Sequence, residues 1–220
     1  MEEGRRLIYF PIVHTEADMG KMGESIREAA LKEVGWTGLK RKAKLVCQMW
    51  QDTEKTIADL GLAYEDVKLY QDGLPVCGRE PEIVKELAEA GSLNHRLLLN
   101  LMDKGATLMG TESAELLVEE YQLIKHAMAG SETRKGSRLT HRQEALSDSI
   151  LRKRDRFIAD RINRTLLAGE TGILFLGMLH SLEEWIDHGI RVAYPINRPI
   201  GKRPICNPPM GRGGEDRVRT

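Results

Sequence analysis

Cysteine is scarce in this 220-residue sequence, which holds only Cys47, Cys77 and Cys206, an odd number without metal-ligand spacing. A disulfide framework and a zinc ribbon are therefore excluded, and free thiols are expected. Net charge is lacking too: 33 Lys+Arg offset 33 Asp+Glu, so the electrostatic signature of a nucleic-acid binder is missing. No apolar run approaches the roughly 20 residues that span a bilayer, so no membrane partner is expected. The opening MEEGRRLIYFPIV sets two acids before its basic pair, with no small-residue cleavage site after the apolar run. It does not read as a secretory signal, and the expected compartment is the cytoplasm. The sequence also has no P-loop, no G-x-G-x-x-G after the first strand, no G-x-S-x-G and no H-E-x-x-H, which removes the commonest nucleotide-binding and serine-hydrolase readings.

Short apolar runs are present and alternate with long helical patterns. LIYFPIVH at 7–14, DVKLYQD at 66–72, ATLMGTE at 106–112, ILFLGMLH at 173–180 and IRVAYPI at 190–196 read as five strands. Runs apolar at nearly every position suit strands covered on both faces, and the intervening helices supply the cover. The expected fold is α/β, with a mostly parallel sheet of about five strands flanked by helices in a single domain over residues 1–196. Residues 20–61 read as helical around a break at Gly35–Gly38. Pro81 suits a first helical position, Ser92 can cap the next helix, and Ala145–Leu167 reads as a long helix. The polar stretch 131–144 reads as a solvated hairpin tip or a lid. Residues 197–220 carry half of the eight prolines, several glycines and an excess of four basic residues. They are expected to form an extended or disordered basic tail, either solvated or touching an acidic partner.

Each of the first four strands ends in polar side chains: His14-Thr15-Glu16, Gln71-Asp72, Thr111-Glu112 and His180-Ser181. The carboxyl ends of a parallel sheet share one rim, where ligands bind, so these groups are expected to converge. His14 and His180 terminate strands, where an imidazole can move a proton or ligate a metal. The other four histidines lie in helical or polar contexts and receive no role. Asp72 and Glu112 can serve as general base, as partner of a histidine or as metal ligands. Asp72 before Gly73 can equally be a turn former, and Glu112 a first-turn acid. Arg154 shares a row with Ile150, Ile158 and Ile162, so it is expected to point inward, where burial demands a carboxylate or an anionic substrate group beside it. Asp155, about 100° further round the helix, can hold a neighbouring side chain. Ser181-Leu-Glu-Glu184 has capping-box spacing, which makes Ser181 a helix cap rather than a nucleophile.

KRDRFIADRINRTL at 153–166, followed by ILFLGMLHSLEEWIDHGIRVAYP at 173–195, resembles the superfamily that groups TraB/Tiki-type, ChaN-like and erythromycin-esterase-like proteins. There an arginine-bearing helix leads to a strand ending G-x-x-H, then a helix and a Gly-x-x-Val strand start, as at Gly189 and Val192. The opening LIYFPIVHTEADMG looks like the family's first strand and histidine, with Pro11 where glycine is usual. The resemblance implies a pocket of His14, Arg154, His180 and an acid at Asp72 or Glu112, with aspartate at the second strand where glutamate is expected. Its members are associated with metal-dependent peptide cleavage, metal-independent ester hydrolysis or binding of haem-like ligands.

The expectation is a hydrolase in which His14 or His180 activates water, Asp72 or Glu112 orients that histidine, and Arg154 stabilises developing negative charge, acting on a small-molecule or peptide substrate. The cofactor is left open between none and a divalent metal such as zinc, held by His14, His180 and Glu112 with water in the fourth place. The alternative from another class is a non-catalytic module that binds a small anionic ligand in the same pocket.

Overall fold

A computed structural model describes residues 4–13, 15, 18, 23–131 and 141–196, with side chains at all of these except 23–26, 29–30, 33 and 127–131. The assignments made above to His14, to 132–140 within the polar stretch and to the tail from 197 onward lie outside the described residues.

Five parallel strands form one sheet: β1 (Arg5–Ile12), β2 (Val67–Gln71), β3 (Thr107–Met109), β4 (Thr171–Gly177) and β5 (Ile190–Ala193). Their order across the sheet is β3-β2-β4-β1-β5, which places the fourth strand between the first and second. The helices are α1 (Gly23–Asp59), α2 (Glu80–Glu89), α3 (Leu93–Asp103), α4 (Ala114–Ser131) and α5 (His141–Thr165). Gly35, at φ 65°, interrupts α1 inside the segment where the sequence predicts a break.

The central strands bury both faces, which is why their sequences do not alternate. On one side Ile8, Phe10, Ile12, Ile173 and Phe175 pack with Trp50 and Ile57 of α1 and with Leu97, Leu98 and Leu101 of α3. Leu7, Tyr9, Leu174 and Leu176 point the other way, against Ile158 and Ile162 of α5. Fully burying each such aliphatic or aromatic side chain stabilises the fold by about 1.5–3 kcal/mol, so the double-sided centre anchors the sheet.

Two differences from the sequence-based expectations concern the carboxyl rim. The third strand is three residues long, because the chain leaves the ladder after Met109 and continues as an irregular segment beside 74–76. No helix follows His180 either. The segment from Leu182 makes one turn, in which the N–H groups of Trp185 and Ile186 donate to the Leu182 carbonyl, and the chain then enters β5. The backbone N–H of Ser181 donates instead to Asp155 at 3.1 Å, so its local geometry serves α5 rather than a new helix. A face that a full helix would cover is covered here by a turn.

Candidate functional site

Asp72 immediately follows β2, and its backbone N–H extends the ladder to Phe175 O of β4 at 2.9 Å. Gly73, at φ 76°, then turns the chain into a conformation that favours glycine, and segment 74–76 runs parallel to 111–113. The backbone N–H groups of Thr111 and Glu112 both donate to Leu74 O, and that of Val76 donates to Glu112 O. This close approach requires Gly110, where a Cβ would meet Val76 Cα at 2.8 Å. The result sets the carboxylates of Asp72 and Glu112 side by side at the rim, both buried.

Arg154 enters this space from α5, in the inward row formed by Ile150, Ile158 and Ile162, and only 6% of it is exposed. Its Nη2 donates to Glu112 Oε1 at 2.5 Å and to Asp72 Oδ1 at 2.8 Å. Nε donates to Glu112 Oε2 at 3.1 Å, and Nη1 to Glu120 Oε2 of α4 at 2.7 Å. A planar fork with fixed donors suits this task better than an ammonium, since one side chain engages three carboxylates. Burial alone would lower the pKa of Arg154. The hydrogen bond and charge of Glu112, with the charges of Asp72 and Glu120, outweigh it and hold the guanidinium above its ordinary value. Burial pushes Glu112 up, and the contacts with Arg154 only partly offset this because the guanidinium is shared, so its carboxyl sits above the usual range.

The next residue on α5, Asp155, is also buried and points to β4's exit. His180 Nδ1 lies 2.5 Å from Asp155 Oδ1, and the other carboxylate oxygen takes the Ser181 N–H. On its opposite edge, His180 Nε2 lies 3.6 Å from Asp72 Oδ2, an oxygen that also accepts from the Gly177 backbone N–H at 2.9 Å. One imidazole thus stands between two carboxylates. Burial would lower its pKa, but the hydrogen bond with Asp155 and the nearby carboxylate of Asp72 push it up to about 9. At neutral pH this ring is an imidazolium.

The geometry therefore brings Asp72, Glu112, Arg154 and His180 together from four separate parts of the chain. Asp155, which the sequence reading expected to hold a neighbouring side chain, lies against Nδ1 of His180, and Asp72 faces the ring's other nitrogen. Glu120 was missed. The signal for it was a carboxylate standing in the row Leu116–Glu120–Ile124 of an otherwise apolar helix face. Tyr9 was missed as well: it is buried in β1 with its hydroxyl 3.3 Å from Leu176 O and 3.4 Å from Gly177 O. Burial first, then the nearby charge of Asp72, raises its phenol well above the ordinary value.

Asp72, Glu112 and His180 each offer a ligand atom, and these atoms lie within 4.8 Å of one another. Two carboxylates and an imidazole are a suitable donor set for zinc. Arg154 already occupies the shared side of both carboxylates, so a cation placed there competes with the guanidinium.

His180 also forms part of the wall of a small open cleft bounded by Leu7, Tyr9, Leu174, Ile186, Val192 and Tyr194 and by the turn at 181–183. No described helix is long and apolar enough to cross a membrane. Compared with known protein families, curated proteins and solved structures, the chain matches none of them. Fold and site thus define the class, an α/β protein with a five-stranded parallel sheet and a buried charge network at its carboxyl rim.

Proposed function

We propose that the chain is a hydrolase acting on an ester or peptide bond at this rim. The observation that carries the reading is the imidazole of His180, held between Asp155 and Asp72 while one side of its ring borders an open cleft. A side chain so placed can deliver a proton to a leaving group in the cleft and recover it from the attacking water, with Asp155 holding the ring through Nδ1. Arg154 acts here as a positioning residue, because the donors described above are spent on carboxylates rather than directed at the cleft. His14 keeps its expected place in this proposal as the second imidazole.

In a metal-dependent form, Asp72, Glu112 and His180 would hold the ion, where the sequence-based assignment named His14, His180 and Glu112, and the ion would supply an activated water near neutral pH. The imidazolium must first lose its proton, so metal uptake would release protons and weaken as pH falls. The rival reading, a module that binds its ligand without turnover, is favoured by the engagement of both ring nitrogens with carboxylates.

A panel of ester and peptide substrates, assayed with wild type, His180→Ala and His14→Ala, decides between these readings. Turnover that falls at least about a hundredfold in the His180 variant supports the hydrolase. Turnover fully retained in both variants removes the histidine assignment. Metal analysis of protein purified without added metal decides the cofactor, and less than about a tenth of an equivalent counts against the three-ligand site in that reading.

A further inference from the structure

We propose that two copies of the chain form a two-fold dimer in which the projecting part of α1 in each copy docks on α4 of the other, the lysine edge of one helix meeting the glutamate edge of its partner. The contact lies on helices beyond the sheet and is independent of the hydrolase reading.

On one face of the sheet α1 outruns the carboxyl rim. Trp50 is the first buried residue among its described side chains, and it already meets Phe175 near the end of β4, with ring centroids 6.2 Å apart. The part of α1 before it therefore lies past the strand ends. Residues 40–45 are all exposed, which is more than one helical turn, so the helix is solvated on every side there. On the opposite face α4 leaves the same rim just after Glu112 and packs on α5, with Val118 58%, Tyr121 41% and Ile124 37% exposed.

These two surfaces carry opposite charge beside apolar rows. Over residues 36–51 α1 holds Lys40, Arg41, Lys42 and Lys44 and no acid. At about 100° per residue, Trp36, Leu39 and Ala43 form a row with Lys40 and Lys44 along one edge. Arg27 lies over the Trp36 ring at 5.9 Å, yet the indole is still 60% exposed. Over residues 114–124 α4 holds three acids and no base. Glu120 is spent on Arg154, which leaves Glu115 and Glu119 exposed beside Val118, the first of a row at three-residue spacing that continues through Tyr121 and Ile124. Large apolar side chains grouped and rimmed by charge mark a contact surface. Packing α1 on α1 would set lysine against lysine, and α4 on α4 glutamate against glutamate, so two copies fit with α1 against α4. Within one chain α1 packs against α3 and α4 against α5, on opposite faces of the sheet, so neither row covers the other. Made twice about a two-fold axis, the contact covers both rows of both copies and closes.

Sedimentation equilibrium of the full chain is the test. Wild type should sediment as a dimer that weakens as salt is added. Lys40→Glu with Lys44→Glu, or Glu115→Lys with Glu119→Lys, sets like charges together in both contacts and should weaken the dimer at least about tenfold. An equimolar mixture of these two variants makes both contacts complementary again and should restore the dimer, which a folding defect in either variant would not allow. Trp36→Ser should weaken wild type about tenfold or more. A wild-type monomer at the highest soluble concentration, a dimer that neither reversal weakens, or reversals that mixing does not restore, overturns the proposal. So does a monomeric chain retained by vesicles containing phosphatidylserine, which would give the basic part of α1 to a lipid surface instead.

Discussion

Two buried polar clusters sit near the strand ends, and they are built differently. In one, Asp18 accepts from the Thr15 backbone N–H at 2.6 Å and from its hydroxyl at 2.8 Å, and it also accepts from the hydroxyl of Ser92. Ser92 in turn caps α3 by accepting from the His95 N–H at 3.2 Å, with His95 Nδ1 2.7 Å from the same oxygen. Burial would raise Asp18, but the hydrogen bonds from His95, Ser92 and Thr15 overcome it and bring its pKa to about 2. This cluster ties the chain after β1 to a helix start, and its carboxylate stays ionised across the whole physiological range.

The cluster around Arg154 gathers four carboxylates, from Asp72, Glu112, Glu120 and Asp155, about one guanidinium and one imidazole. Glu112 is shifted upward and His180 is moved to about 9, and the His180 ring borders a cleft. The contrast separates a clasp from a site. Where polar groups only fasten the fold, several donors satisfy a single carboxylate; where ionisable groups compete for too few partners beside open space, protons can move.

Substitutions can break this contrast, the largest effect coming first. Replacing Arg154 with methionine leaves Asp72 and Glu112 buried without their cation and should cost about 3–5 kcal/mol, read by urea unfolding. A loss below about 1 kcal/mol would mean that the network contributes little to the fold. The next effect is alkaline. The folded pKa of His180 lies above its ordinary 6.5, so its stabilisation is complete below that pH and disappears as pH rises through about 9. The loss should be on the order of 3 kcal/mol in unfolding experiments across that window, and it should be absent in His180→Gln.

The clasp should respond to pH in the opposite sense. The depressed pKa of Asp18 stabilises the fold above its ordinary 3.8, and that contribution is lost as pH falls through about 2. Ser92→Ala should therefore cost about 1 kcal/mol, as the loss of a helix cap does, with no change between pH 6 and 9. The smallest effect belongs to Glu120→Gln. This side chain is partly exposed and its pair is the outermost of the network, so about 1 kcal/mol or less should be lost in the same unfolding assay.

Much of the architecture was legible because β1 and β4 are apolar on both faces, a pattern that only a covered parallel strand satisfies. Arg154 could be placed inward from its spacing with Ile150 and Ile158, and the polar ends of the strands pointed to the rim. The turn after His180 was not legible. Capping-box spacing at 181–184 signals a helix, but Asp155 takes the Ser181 N–H, and after a single turn the chain enters β5 at Ile190. Tertiary contact outweighed local propensity there, and the turn that replaces the helix lines the cleft. The choice of Asp155 over Asp72 as the Nδ1 partner of His180 was equally hidden, because it depends on how far α5 is rotated against β4, which no spacing records.

A titration of the His180 ring by NMR in wild type and in Asp155→Asn tests most directly whether two carboxylates hold this imidazole charged. The account predicts a midpoint near 9 in wild type, falling toward 6.5 in the variant. A wild-type midpoint at or below 6.5, or one that Asp155→Asn leaves in place, would contradict it.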